Sequence, residues 1–86
     1  MNIDVTNFNL QKQWQLYLTR VDLEESKMHP IQLIETKRAF FGACAQMLIL
    51  LRDELTEFSD DQACDYLDAM LQQADDFWRQ QVGRQN

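Results

Sequence analysis

The stretch Met28–Leu51, MHPIQLIETKRAFFGACAQMLILL, decides how the chain is read. Pro30 suits the first helical position, where no backbone donor is needed. His29 is then the expected N-cap, and Met28 with Leu33 a hydrophobic staple across the helix start. Gln32, Glu35 and Arg38 follow at i, i+3 and i+6 and form one polar ridge. From Ala39 to Leu51 the only strongly polar residue is Gln46. A surface helix carries one apolar stripe, whereas a helix apolar on most sides needs cover on most sides. Ala39, Gly42, Ala43 and Ala45 are small enough to admit another backbone. Gly42 inside a helix costs about 1 kcal/mol relative to alanine, so it calls for a packing or functional reason.

Working outward, the pattern predicts three helices over about 8–22, 30–57 and 60–82. In the first, Leu10, Trp14, Tyr17, Leu18 and Val21 repeat with helical period, with Leu16 off the stripe and Thr6 or Asn7 as cap. Asp22 to Lys27 reads as a charged connector. The second helix is the quoted one, with Leu33, Phe40, Phe41, Cys44, Met47, Leu48, Leu51, Leu55 and Phe58 as a wide apolar face. In the third, Ser59 and Gln62 make a capping box. Ala63, Leu67, Met70, Ala74 and Phe77 then form a heptad-like seam. Arg79 suits the C-terminal dipole and Gly83 the helix end. Residues 84–86 are expected to fray. The short link between helices two and three calls for antiparallel neighbours. The expected fold is all-α: a single helical domain, 1–86, dominated by a long helical hairpin and assembled as a homo-oligomer. Chains of this size bury only roughly 60–65% of their unfolded surface, and association is a common remedy.

Composition narrows the function classes. The net charge of -6 opposes direct binding to nucleic acid or to an anionic membrane. The longest apolar stretch is shorter than the roughly 20 residues a spanning helix needs. The first six residues have neither a basic n-region nor an apolar h-region, so we expect no secretory leader and a cytoplasmic location. In the expected hairpin, Cys44 and Cys64 stand about 21 Å and about 9 Å from the turn at roughly 1.5 Å per residue. A disulfide is therefore not expected, and both are read as reduced, buried packing residues.

The Gln32, Glu35, Arg38 ridge admits three readings. It is a polar pocket in which Arg38 pairs with an anionic group, Gln32 and Glu35 hydrogen-bond to a base or ribose edge, and Phe41 offers a stacking face. Or it is a solvated face with an i, i+3 pair, or a buried network that fixes oligomer register. Asp61, Asp65 and Asp68 share a face of the third helix and could dock a basic partner protein; a solvated face is the plainer reading, and three carboxylates without further ligands make a poor metal site. His29 has no visible nucleophile beside it to serve as a base. No catalytic motif and no cofactor motif stands out, and the chain is not expected to be an enzyme.

The run Gln32-x-x-Glu35-x-x-Arg38-Ala39-Phe40-Phe41-Gly42-Ala43 resembles a motif in small all-helical proteins of phages and prophages. Those proteins share the layout of a short aromatic-bearing first helix, a central helix rich in small residues and an acidic last helix. The resemblance implies a non-catalytic accessory or counter-defence protein in the bacterial host cytoplasm. It would sequester a small anionic, nucleotide-like ligand at oligomer junctions around Gln32, Glu35, Arg38 and Phe41. The alternative is an inhibitor that binds a host or defence protein through Asp61, Asp65 and Asp68.

Overall fold

The computed structural model describes residues 4–83. Readings of the first three residues, and the expected fraying of 84–86, lie outside them. The described residues are all helical or connecting, with no strand. Three α-helices follow one another: α1 (Leu10–Arg20), α2 (Pro30–Asp53) and α3 (Asp60–Gly83). Short 3-10 turns cover Val5–Asn7, Glu25–Lys27 and Leu55–Glu57. No described helix is long and apolar enough to cross a membrane. The chain divides into two compact units, Met1–Leu48 and Ile49–Asn86, and each is described by itself.

The first unit is built around one tryptophan. Trp14 is fully buried, and Leu18 and Met28 complete a small core against which Tyr17, Leu23, Leu33, Phe40 and Phe41 pack. Phe40 sits between two rings of α1, 5.4 Å from Trp14 and 5.3 Å from Tyr17 between centroids. The helical stripe of α1 is thus the buried one, and off-stripe Leu16 is exposed as its position implies. A buried indole N–H needs an acceptor. Glu25 supplies it, taking the Trp14 Nε1–H at 2.5 Å and the Gln15 side-chain N–H at 3.1 Å on one carboxylate oxygen. The expected charged connector is therefore partly a structural strap.

Helix starts and stops follow backbone hydrogen-bond demand. Asn9, not Thr6 or Asn7, caps α1, accepting the Lys12 N–H at 3.0 Å. Residues 5–7 are taken up in a 3-10 turn that Asp4 caps through the Thr6 N–H. The end of α1 is a Schellman motif. Asp22 adopts φ 59°, the Leu23 N–H reaches Leu18 O at 2.9 Å and the Asp22 N–H reaches Thr19 O at 3.2 Å. Leu23 and Leu18 then meet in the core. At the start of α2, His29 is the N-cap, its Nδ1 accepting the Ile31 N–H at 3.2 Å. Met28 and Leu33 share the core cluster, as the staple requires.

In the second unit α2 ends at Asp53, four residues before the expected 57. Neither glycine nor proline marks this stop; a 3-10 turn at Leu55–Glu57 prolongs the helical pattern beyond the helix itself. Ser59 and Gln62 form the expected capping box: the Gln62 N–H donates to Ser59 Oγ at 3.2 Å and the Ser59 N–H to Gln62 Oε1 at 3.1 Å. Around this corner Leu50, Leu51, Leu55, Phe58, Tyr66, Leu67 and Met70 line an apolar hollow of about 350 Å³. The Phe58 and Tyr66 rings stand 4.9 Å apart within it. Further along α3, Leu71, Phe77, Trp78 and Val82 remain exposed. Both cysteines are free; Cys44 is half-buried, but Cys64 is exposed, which corrects the expectation that both are buried. Cys64 lies on α3 beside Asp65, one step off the Ala63–Leu67 seam.

Candidate functional site

Gln32, Glu35 and Arg38 all lie in the first half of α2, within the first unit, and all three are exposed. They do not converge on one hollow. Gln32 borders a groove with Asp22, Leu23, Glu24, Lys27 and Met28 beneath the start of α2. Arg38 borders a separate open hollow of about 330 Å³, shared with Ile34, Lys37 and Phe41. The reason is angular. At 100° per residue, i+6 lies 120° short of two full turns, so a +3, +3 series drifts round the helix. Arg38 therefore looks toward Ile34 and Phe41, one turn to either side of it, while Gln32 looks toward the connector.

The hollow at Arg38 has a defined chemistry. The half-buried Phe41 ring forms one wall, held from behind by Phe40 at 5.7 Å between centroids. The Lys37 ammonium stands 5.9 Å from the Phe41 centroid, within cation–π range. Arg38 flanks the same ring, and Ile34 supplies the apolar edge. Among the described residues neither Lys37 nor Arg38 forms an ion pair, although Glu35 stands three residues from Arg38. The lining itself is apolar: the methylene stems of Lys37 and Arg38 border it with Ile34 and the Phe41 ring, and of the two charged heads only the Lys37 ammonium is placed near that ring. Such a face can take the planar part of a ligand, with a cation at its edge for a negative charge.

Sequence reading missed Lys37, because it falls outside the i+3 ridge. Its signal is a lysine at i-4 from an aromatic residue on a helix, the spacing that puts two side chains over one another. Phe41 and Arg38 border the same hollow, without Gln32 or Glu35. His29 is occupied in capping, with Nδ1 engaged by the backbone of α2.

On α3, Asp61, Asp65 and Asp68 are exposed and form no ion pair among the described residues, whereas Asp75 pairs with Arg79 at 2.8 Å. Among the described residues no three His, Cys, Asp or Glu side chains gather closely enough to hold a metal ion. Comparison of the chain with protein-family profiles, curated proteins and solved structures finds no match.

Proposed function

We propose that this is a self-associating, non-catalytic binding protein for a small anionic ligand with a planar ring, a nucleotide-like molecule, held at Lys37, Arg38 and Phe41. The observation that carries the reading is an apolar hollow walled by Phe41, with the Lys37 ammonium near the ring and the Arg38 stem along its border, the two cations forming no ion pair among the described residues of an acidic protein. A hollow open to this degree holds a small ligand weakly on one chain alone, since tight small-molecule sites enclose most of the ligand surface. Closure by a second subunit is therefore part of the proposal, and Gln32 and Glu35 belong to the rim of that junction. The antiparallel hairpin of helices two and three belongs to the same reading; the apolar corner inside the second unit supports it. The resemblance of residues 32–43 to phage and prophage proteins supports a counter-defence role, sequestration of a nucleotide signal in the cytoplasm of a bacterial host.

Calorimetric titration with a panel of mononucleotides and cyclic dinucleotides tests the reading. Lys37→Ala should weaken binding by about ten- to a hundredfold, the loss of one charge-assisted contact of about 1.5–3 kcal/mol. Lys37 lies outside the buried core, on the outer side of Phe41, so the variant should keep its helical signal. Absence of binding across the panel, or wild-type affinity in Lys37→Ala, would overturn the site.

A second reading has its own support. Among the described residues the carboxylates of Asp61, Asp65 and Asp68 form no ion pair, and exposed Leu71 and Trp78 continue the same helix. A basic partner with an apolar anchor fits such a helix, and a host protein bound there would be inhibited. Replacing all three aspartates by asparagine should then abolish a salt-sensitive complex; recovery of the same partner by both proteins would remove this reading.

A further inference from the structure

The outward face of α2 has a regular pattern that the core does not use. Ile31, Glu35, Arg38, Gly42 and Ala45 step by +4, +3, +4 and +3, and every one is exposed. This is the spacing of a coiled-coil seam. It lies opposite the face that carries Leu33 and Phe40 into the core. A Cβ added at Gly42 meets nothing within 4 Å. No contact among the described residues thus calls for a glycine there. Ile31 is 60% exposed, and Glu35 and Arg38 have no ion-pair partner among the described residues.

We propose that the occupant of this face is the α2 helix of a second copy, running antiparallel, with Glu35 of each copy against Arg38 of the other and Ile31 of each against Gly42 of the other. In antiparallel coiled coils the two seam positions alternate across each layer, so residues with summed numbers of 73 face one another in this register. Each layer is then matched: the two charges are opposite, and the largest apolar side chain meets the residue with none. Two-fold symmetry repeats both contacts, giving two ion pairs and two isoleucine–glycine layers. The competing arrangements are poorer. A parallel pair sets Glu35 on Glu35 and Arg38 on Arg38, like charge on like charge. Moving the antiparallel register by one heptad sets Glu35 against Ala45 and Arg38 against Gly42, leaving all four charges unpaired at the seam. The match between chemistry and register is what selects a second copy over an unrelated partner.

The same register brings the two Lys37 side chains to one edge of the seam, near the two Phe41 rings. The two open hollows of the monomers would then face a common axis, and with each Arg38 paired to Glu35 of the other copy the two Lys37 ammonium groups would carry the free positive charge there. The pairing rests on the self-association in the preceding section, and not on the ligand.

Site-directed cross-linking reads the register directly. In a background carrying Cys44→Ala and Cys64→Ser, Ile31→Cys and Gly42→Cys are introduced together. Oxidation should give a covalent dimer that thiol reductant returns to monomer, and mixing the two single variants should give the same dimer. Each single variant alone should not cross-link, since identical positions at 31 stand about 16 Å apart along the axis in this register, from eleven residues at roughly 1.5 Å each. Charge reversal supplies the second arm. Glu35→Arg or Arg38→Glu alone should weaken dimerisation roughly twentyfold or more, and the double reversal should restore it. Efficient cross-linking of Ile31→Cys alone, or a double reversal no better than the single ones, would overturn the pairing even if the protein is dimeric. A chain that stays monomeric at all concentrations would overturn it together with the self-association. Loss of nucleotide binding with cross-linking intact would count against the ligand reading alone and would support the pairing.

Discussion

Asp22 shows how much a single residue can carry. It is the only non-glycine residue at positive φ among those described, and it closes the Schellman motif that lets Leu23 turn back onto Leu18. A left-handed conformation costs an ordinary L-residue roughly 1–2 kcal/mol, less for aspartate, and glycine nothing. Asp22→Gly should therefore raise stability by up to about 1 kcal/mol in chemical denaturation, and Asp22→Val should lower it. Trp14 stands at the other extreme. Among the described residues it is the one large side chain fully buried, and α2 packs on it through Phe40. Trp14→Ala should cost about 3–5 kcal/mol and unfold the first unit at ordinary temperatures. A folded, merely loosened Trp14→Ala protein would show that this core matters less than its geometry implies. Both residues were differently legible in the sequence. The period of α1 marks Trp14 as buried, but an aspartate in a charged connector carries no sign that it sits at positive φ, because the backbone demand comes from where Leu23 must pack.

At the scale of elements, local chemistry set what could be read. Proline after histidine, and serine three residues before glutamine, announce the starts of α2 and α3, and both caps form as those residue types require. Ser59→Ala should accordingly cost about 1 kcal/mol, seen as lost amide protection in the first turn of α3. The end of α2 was not legible. Arg52 and Asp53 pair with each other at 2.6 Å on the outside of the helix, and the 3-10 turn that follows keeps an apolar spacing close to helical. The N-terminal turn carries a pH signature. The Thr6 hydroxyl first, and the Thr6 N–H second, hold the Asp4 carboxyl below its ordinary value of 3.8. Arg52 holds Asp53 below the same value. A depressed carboxyl stabilises the fold above its unfolded value and ceases to do so as pH falls through its folded value. The Val5–Asn7 turn should thus be indifferent to pH from 5 to 8 and loosen only below about pH 4. The Thr6 amide shift in a pH titration follows this directly; a midpoint near 6 would contradict the assignment.

For the whole molecule, the all-α class is legible in a chain with only two glycines and one proline and in the helical periodicity of three long segments. The site was only half legible. Phe41 and Arg38 share a hollow, whereas Gln32 belongs to another, because spacing at +3 on a helix cannot keep three residues on one side. Lys37 came into view only with the side chains in place. The most general feature is uncovered apolar surface: Ile31 and Ile34 on α2, and Leu71, Phe77, Trp78 and Val82 on α3, are all about half exposed or more. A short chain with one small tryptophan-centred core and this much open apolar surface gains from association. The proposed ligand site and the proposed antiparallel pairing both require self-association. Sedimentation velocity across the low to high micromolar range tests it most directly. A species of at least twice the 10.2 kDa chain mass is expected, weakened by Gly42→Leu; a single 10.2 kDa species at every concentration would contradict self-association.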